Sequence, residues 1–261
     1  MSPGTQGVEY AMEIIKDTFS EEIKEGLNRL GIKAILFDFD DTLIFTAEIF
    51  LRQMDEYVNT VAAKTGIDPK TLDESLRRIN DEEYKKVGVN PLRWAKTLEK
   101  MATEFQGSEE VILDNLGILM EIYNQEPRVR PGARAILEVL KRTGVKMGLV
   151  THANVDWTWK KLQYSGMIDY FETIVIADEN GHKDIKCWQT AMEDLGVLAT
   201  ECLVVGDSLN GDIIPTAGIG ARTMWLHNGS SWSVNRTGAV PESTVHLGNV
   251  NELLSAVEAL G

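Results

Sequence analysis

The sequence predicts a three-layer α/β protein in which a parallel sheet lies between helices and carries an inserted block of helices. Short apolar runs alternate with amphipathic stretches over residues 127–261, and one further apolar run lies at 32–37. Between them, residues 46–126 repeat apolar side chains at helical spacing and contain no strand-like run. Because alternating strands and helices build parallel sheets that are covered on both faces, these observations favour an α/β core with a helical insertion.

The first predicted strand is the apolar run Ile32–Phe37, which lies between Gly31 and an acidic cluster. Short, continuous apolar runs of this kind are typical of strands that are buried on both faces of a sheet. Comparable runs predict later strands at 145–150, 173–176, 202–205, 222–226 and 244–247. Helical patterns lie between them at 133–142, 155–165, 185–195, 212–217 and 250–260. The alternation predicts a Rossmann-like three-layer core with a parallel sheet.

The block of residues 46–126 is predicted to be an α-helical cap subdomain, inserted after the first strand. Asp68 and Asn90 each stand directly before a proline, which is a helix-start signal because the side chain can cap the first turn. The prolines at 127 and 131 are typical of a linker that returns to the core. The predicted division is an N-terminal helical extension at 1–31, an α/β core domain at 32–45 and 127–261, and the cap domain at 46–126.

Composition and charge indicate a globular protein with an acidic surface. The chain has 261 residues, of which 43% are hydrophobic and 25% charged, and its formal net charge is −14. A surface of that charge repels a phosphate backbone, so we expect no nucleic-acid partner. A small phosphorylated substrate is compatible with it, because a bound divalent cation reverses the field locally.

The N-terminus and the cysteines bear on the cellular compartment. The polar start MSPGTQG is followed by no apolar signal-peptide region, and no stretch approaches the roughly 18 apolar residues of a membrane-spanning helix. Cys187 and Cys202 have neither CxxC nor zinc-site spacing, which argues against a disulfide framework or a structural metal. We therefore expect a soluble cytoplasmic protein with no membrane partner, and the sequence leaves its oligomeric state open.

Polar and charged side chains collect where the predicted strands end. Asp38 and Asp40 follow the first strand, Thr151 follows the second, and Asp207 and Asp212 follow the fourth. Ligands of α/β sheets bind at this edge, so we expect these side chains to lie together. Clustered carboxylates repel one another unless a cation lies between them, and oxygen donors select a hard ion, most simply Mg²⁺.

Such a set of side chains suits phosphoryl transfer. A carboxylate can attack phosphorus and form an acyl phosphate, and a second carboxylate two residues on can act as general acid and then as base for water. The phosphoryl oxygens need positive charge and hydrogen-bond donors, which a metal ion, a lysine and a threonine hydroxyl supply. Lysines occur in the nearby segment Gly181–Lys186. The pattern predicts a magnesium-dependent phosphohydrolase centred on Asp38.

Three of these segments resemble motifs of the haloacid dehalogenase superfamily, and they occur in the family's order. DFDDTL at 38–43 is similar to the family's nucleophile loop, LVTHAN at 149–154 to its second motif, and GDSLNGD at 206–212 to its acidic fourth motif. The resemblance covers about residues 32–260 and includes a helical insertion after the first motif. Three motifs in order are a far more specific signal than any one of them alone.

The resemblance implies a role for each matching residue. Asp38 would be the nucleophile and a Mg²⁺ ligand, Asp40 the general acid/base whose backbone carbonyl also binds the metal, and Thr151 a ligand of the phosphoryl oxygens. Asp207 would be the third protein ligand of Mg²⁺, and Asp212 would support the metal's waters or orient the loop of Asp207. Dehalogenating relatives usually lack an acid at the position of Asp40, so its presence favours phosphoryl transfer over dehalogenation.

The family's third motif, a lysine before a helix, matches least regularly. Many members have Lys-Pro there, whereas this chain has HKDIK at 182–186 and no proline. Alignment on Trp188 puts the family lysine at His182 without a gap, or at Lys183 with one deletion. We favour Lys183 because the role needs a permanent cation, and Lys186 is the runner-up.

Two other functions stay open at this point. A phosphomutase of the same superfamily would return the phosphoryl group to its substrate, and a non-catalytic phosphate-binding protein would keep the fold without turnover. The substrate is open too, because sugar phosphates, nucleotides and other small organic phosphates all suit the pattern. Several further residues have a structural default expectation. His152 is expected to be a satisfied loop histidine, and Trp157 and Trp159 are expected to pack in the core or dock the cap. A solvated helical face is expected for the cap residues Arg77, Arg78, Lys85, Lys86, Arg93 and Trp94.

Overall fold

A computed structural model describes residues 19–227 and 238–260 and has the predicted α/β architecture. Its strands are β1 (Ala34–Phe37), β2 (Ile44–Phe45), β3 (Arg128–Val129), β4 (Lys146–Thr151), β5 (Thr173–Ile176), β6 (Cys202–Gly206), β7 (Arg222–Leu226) and β8 (Val245–Leu247). Six of them form one sheet in the order β5-β4-β1-β6-β7-β8, and all neighbours in it are parallel.

Helices cover the sheet and form the insertion. In the described part of the chain they are α1 (19–29), α2 (Ala47–Thr65), α3 (Pro69–Val87), α4 (Leu92–Glu104), α5 (Glu109–Asp114), α6 (Leu116–Met120), α7 (Ala133–Thr143), α8 (Val155–Ser165), α9 (Ile185–Leu195), α10 (Ile214–Gly218) and α11 (Glu252–Leu260). None of the helices in the described residues is long and apolar enough to span a bilayer.

Strand β1 lies at the centre of the sheet and is fully buried. Its side chains alternate, as they do in any strand, so Ile35 and Phe37 pack in the apolar cluster of one face while Ala34 and Leu36 pack in the cluster of the other. Each fully buried aliphatic or aromatic side chain contributes roughly 1.5–3 kcal/mol to folding. This burial fixes the end of β1, and therefore Asp38, in the middle of the molecule.

The N-terminal segment that the sequence predicts as an extension packs on the core where it is described. The part of the prediction at residues 1–18 lies outside the described residues. Ile23 and Leu27 of α1 are buried in the same apolar cluster as Val257 of α11. The Ile32 amide donates to the Leu27 carbonyl at 2.9 Å, which closes the end of α1 two residues before β1 begins.

Helices α2–α6 form the insertion and have an apolar cluster of their own, which includes Met54, Tyr57 and Trp94. The predicted start of α3 is found, with Asp68 Oδ2 accepting from the Thr71 amide at 3.0 Å. Strands β2 and β3 pair antiparallel and join the two ends of the insertion. This ribbon was not predicted, because two-residue strands are too short to carry a periodic pattern.

Candidate active site

The candidate site lies where the strand order of the sheet reverses. Strand β1 pairs with β4 on one side and with β6 on the other. The carboxyl ends of these three strands carry Asp38, Thr151 and Asp207. Strands on either side of such a reversal send their connections to opposite faces of the sheet, which leaves a crevice at this edge.

Asp38 is buried and held from two sides. Its Oδ1 accepts from Lys183 Nζ at 2.6 Å, and its Oδ2 accepts from Thr42 Oγ1 at 2.9 Å. Burial raises the pKa of the Asp38 carboxyl to about 7, although the Lys183 ammonium acts in the opposite direction. The carboxylate is therefore costly to ionise unless more positive charge is supplied nearby.

Lys183, the lysine that the sequence favours over Lys186, lies beside Asp38. Its Nζ lies 2.6 Å from Asp38 Oδ1 and 2.5 Å from Asp212 Oδ1, and 5.2 Å from the centre of the Trp188 ring. Although burial acts to lower it, the two carboxylates raise the pKa of Lys183 above its ordinary value. Lys186 is exposed on the first turn of α9, and His182 lies near the Lys85 carbonyl.

Three buried carboxylates meet beside Lys183. Asp38, Asp207 and Asp212 each offer an oxygen, and these oxygens lie within 4.8 Å of one another. Burial, followed by repulsion from the other two carboxylates, raises the pKa of Asp207 well above its usual range. Among the described residues only Lys183 forms an ion pair with this cluster, so one positive charge faces three acidic groups. If all three carboxyls are ionised, two negative charges remain without a partner, and an oxygen-donor cluster of this kind fits a hard divalent cation such as Mg²⁺.

Asp212 is positioned by a tight turn. Its Oδ2 accepts from the Ser208 amide at 2.9 Å, and it lies within the π-helical turn Leu209–Ile213, which Ser208 caps. A side chain at Gly206 would overlap the Asp212 carboxylate, so this close approach requires glycine. The helix predicted at 212–217 therefore begins as a π turn and becomes α-helical only at Ile214.

Asp40 lies apart from that cluster and has its own cation. Lys161 Nζ lies 2.5 Å from Asp40 Oδ1 and 2.7 Å from Oδ2, and Thr46 Oγ1 donates to Oδ1 at 2.6 Å. Lys161 is fully buried on α8 and packs 4.3 Å from the centre of the Trp157 ring. Lys161 was not predicted as a site residue. The signal was its spacing, four residues after Trp157 and four before Ser165, on the buried side of the helix.

Asp41 makes the loop after Asp38 compact. It has a φ of 59°, the only positive φ among the described non-glycine residues, in a region that aspartate tolerates better than most side chains. Its Oδ1 accepts from the amides of Thr46 and Ala47, each at 3.0 Å, at the start of α2. Arg130 Nη2 donates to the Asp41 carbonyl at 2.7 Å. The insertion is thus anchored one residue from Asp40.

Thr151 is the last residue of β4 rather than the residue after the strand. It is fully buried, and its Oγ1 has no hydrogen-bond partner among the described residues. Buried hydroxyls are normally paired, so this one is suited to donate to a ligand.

A cavity of about 370 Å³ opens between the carboxylates and the helical insertion. Asp38, Lys183 and Asp207 line it on the core side, and Tyr84 and Arg93 line it on the insertion side. The expectation of a solvated face is wrong for two insertion residues, because Arg93 is 4% exposed and Trp94 is fully buried. Both belong to the buried stripe of α4.

Two tryptophans of α8 have different environments. Trp157 is buried, donates from Nε1 to the Gln125 carbonyl at 3.0 Å and packs against Phe50, so it joins the core to the insertion. Trp159 is 41% exposed. His152 lies in the loop that follows β4 and lines the cavity.

Comparison with known proteins agrees with this geometry. The family model for haloacid dehalogenase-like hydrolases matches residues 32–220, which is most of the chain. The chain therefore belongs to the haloacid dehalogenase-like hydrolase family. The match includes the Asp38 loop, Thr151, Lys183 and the Asp207–Asp212 turn.

Individual relatives point the same way. The chain is 28% identical over 204 residues to glyceraldehyde 3-phosphate phosphatase of Pyrococcus abyssi. The aligned region covers 76% of this chain and 82% of that protein. In structure it resembles a haloacid dehalogenase-like family hydrolase from Xanthomonas campestris, with a TM-score of 0.67, 18% identity and coverage of 88% and 96%. It also resembles a phosphatase of the family from Thermococcus onnurineus, with a TM-score of 0.59, 23% identity and coverage of 87% and 98%.

Proposed function

We propose that this protein is a magnesium-dependent phosphatase that hydrolyses a small phosphomonoester through an aspartyl phosphate on Asp38. The observation that carries the proposal is the charge imbalance of the site, where one lysine faces Asp38, Asp207 and Asp212. The names of the curated relatives support a phosphate ester as substrate.

Mg²⁺ would be held by Asp38, Asp207 and Asp212, and when bound it would neutralise the carboxylates and the phosphoryl oxygens. The chain supplies the other contacts to the phosphoryl group. Lys183 brings a permanent positive charge next to Asp38, and Thr151 Oγ1 is a buried donor without a partner among the described residues. Both would bind the charge that spreads over the phosphoryl oxygens in the transition state.

In the first step, an Asp38 oxygen forms a bond to phosphorus and the bond from phosphorus to the leaving oxygen breaks. Asp40 gives its proton to that oxygen. In the second step, Asp40 takes a proton from water, whose oxygen attacks phosphorus, and Asp38 is released with inorganic phosphate. Lys161 and Thr46 act as positioning residues, because they donate to both oxygens of Asp40 in the ligand-free protein. Asp40 therefore takes up a proton from solvent and turns one oxygen away from Lys161 before the first step, and the proton that it takes from water in the second step restores this acid form.

We further propose that residues 46–126 act as the cap domain over the core at 32–45 and 127–261. The cavity supports this role, since it has walls from both parts. A cap in this place excludes bulk water from the acyl phosphate and selects the leaving group.

The function is tested by phosphate release from a panel of small phosphate esters, with Mg²⁺ and after its removal by chelation. We expect stoichiometric inorganic phosphate with Mg²⁺, and none in the chelated sample until Mg²⁺ is restored. A phosphomutase would instead release little phosphate and need a bisphosphate activator. Absence of turnover across the whole panel would favour a binding protein of the same fold.

Replacement of Asp40 by Asn should separate the two chemical steps. p-Nitrophenolate leaves without a proton, so we expect a burst of about one equivalent per active site, followed by turnover slowed by about 10²–10⁴-fold. Alkyl phosphates, whose leaving oxygen needs a proton, should show no burst. Rapid-mixing absorbance measurements on p-nitrophenyl phosphate detect the difference.

The control for this experiment addresses charge balance around Lys161. The single variant leaves a buried lysine without its carboxylate, which costs stability. The double variant Asp40→Asn/Lys161→Met removes that problem and should show the same burst with a higher melting temperature. Equal slowing of p-nitrophenyl and alkyl phosphates, without a burst, would contradict the acid/base role.

A further inference from the structure

Arg93, at the start of α4, is a buried cation that lines the cavity on the insertion side. Its Nε donates to Asn80 Oδ1 at 3.0 Å, and its Nη1 donates to the Gly88 carbonyl at 3.3 Å. The guanidinium is further packed among the rings of Phe50, Tyr84 and Trp94. These contacts hold the side chain rigidly at the wall of the cavity.

None of the arginine ion pairs among the described residues includes Arg93. Burial lowers the pKa of its guanidinium and so disfavours its charge. Asp81 lines the same cavity, and its charge favours that of Arg93 at a distance without forming an ion pair with it. Arginine keeps its proton in proteins, and buried charges are normally paired. An arginine of this kind beside a cavity is therefore suited to an anion that arrives with the substrate.

His152 supplies a second unmet polar group in the same cavity. Its Nε2 is buried without a hydrogen-bond partner among the described residues. Burial, together with Lys183 and His182, lowers the pKa of His152 to about 4, so the ring is neutral near pH 7. A neutral imidazole has one nitrogen that donates and one that accepts, so the unpartnered Nε2 is suited to a hydrogen bond with a substrate hydroxyl, which can fill either role.

Lys183 and Arg93 mark the two sides of the cavity. His152 is affected by the charge of both, as is Tyr84. A small phosphate ester with its phosphoryl group at Lys183 and Thr151 would direct its organic part past His152 towards Arg93. The cavity volume of about 370 Å³ accommodates a molecule of a few carbon atoms.

We propose that Arg93 is a specificity-determining residue that binds an anionic group, a carboxylate or a second phosphate, on the leaving-group side of the substrate. The planar guanidinium matches either group through paired N–H donors. This inference rests on the proposed phosphatase function and adds the substrate class, namely small phosphate esters that carry a second anion.

The test compares matched substrates in the wild-type protein and in Arg93→Gln. 3-Phosphoglycerate has a carboxylate where glyceraldehyde 3-phosphate has an aldehyde and glycerol 3-phosphate has a hydroxymethyl group. Propane-1,3-diol bisphosphate and 3-hydroxypropyl phosphate form a second pair, in which only the first compound carries a second phosphate. We expect the wild type to favour the anionic member of at least one pair by about 10- to 100-fold in kcat/KM, and Arg93→Gln to lose that preference. The pair that shows it identifies the anion.

The ratio of kcat/KM between the paired substrates distinguishes anion recognition by Arg93 from a purely structural role. If Arg93 only braces Asn80 and the Gly88 loop, its replacement lowers kcat/KM equally for both members and lowers the melting temperature, and the proposal is wrong. Arg93→Lys keeps a positive charge and should recover part of the preference. Arg78→Gln is the matched control, because Arg78 is an exposed arginine of the same insertion that pairs with Glu104. It should keep the wild-type ratio.

Binding measurements keep this inference distinct from the proposed function. Calorimetry on Asp38→Asn, with and without Arg93→Gln, measures the affinity for 3-phosphoglycerate and glycerol 3-phosphate without turnover. If the wild type hydrolyses none of the substrates but the anionic substrate still binds selectively through Arg93, the phosphatase function is wrong and the role of Arg93 stands. Turnover by the wild type with no preference in either pair would overturn the role of Arg93 and leave the phosphatase function standing.

Discussion

Asp38→Asn should abolish phosphate release while leaving the fold intact, with a fall in kcat of about 10³-fold or more. The amide has the size of the carboxylate, its oxygen can still accept from Lys183, and its NH2 group can donate to the Thr42 hydroxyl, so the loop keeps its geometry. It cannot, however, form an acyl phosphate by attack of a carboxylate oxygen. Phosphate release is measured by a colorimetric assay, and the fold by circular dichroism and the melting temperature.

A covalent readout makes this result specific to the nucleophile. Acid quenching during turnover should trap a phosphoryl adduct on the wild type, visible by mass spectrometry and located on the peptide that contains Asp38. Asp38→Asn should show no adduct. Asp114→Asn, which changes an exposed aspartate of α5, is the matched control and should keep both adduct and activity. Full activity in Asp38→Asn, or an adduct on another residue, would refute the assignment.

Lys183→Met should have the second largest effect, and it should affect both catalysis and stability. The change removes the only cation that forms an ion pair with the acidic cluster among the described residues, so Asp38 and Asp212 lose their partner in a buried site. Breaking a buried pair from one side costs about 3–5 kcal/mol of stability. Loss of a positive group at the phosphoryl oxygens should lower kcat/KM by about 10²–10³-fold. Denaturant unfolding and phosphate-release kinetics measure the two effects separately.

Lys186→Met is the matched control, because both lysines belong to the same short segment. Lys186 is exposed on α9, so its replacement should change stability by at most about 0.5 kcal/mol and leave kcat/KM near the wild-type value. The opposite outcome, with Lys186→Met inactive and Lys183→Met active, would move the phosphate-binding lysine to position 186.

The sequence was informative about the core because each of its signals is local. The run that ends at Phe37 is short and continuous in apolar residues, as a buried strand must be, and Asp38 and Asp40 follow it directly. The glycine at 206 precedes Asp207 for a local reason as well, since the turn folds Asp212 back onto it. Motif, strand end and charge could therefore be predicted from neighbouring residues alone.

Residues that act across the fold were harder to predict. The Asp40–Lys161 pair joins residues 121 positions apart, and the residues around either one do not predict the contact. Arg93 precedes Trp94 on a helix whose buried stripe continues through Thr97 and Met101, so its burial could have been predicted from the spacing. Its place at the cavity wall could not, because that depends on how α4 packs against the core.

The sequence by itself determined the class of this protein: a parallel α/β core with an inserted helical block, and an acidic edge led by Asp38. Those features follow from periodicity, strand length and the order of motifs, which are properties of short segments. The tertiary structure decided which lysine meets Asp38, which lysine holds Asp40, and that Arg93 faces the cavity. These are contacts between distant segments, and only the packing of helices on the sheet brings their atoms within a few ångströms of one another.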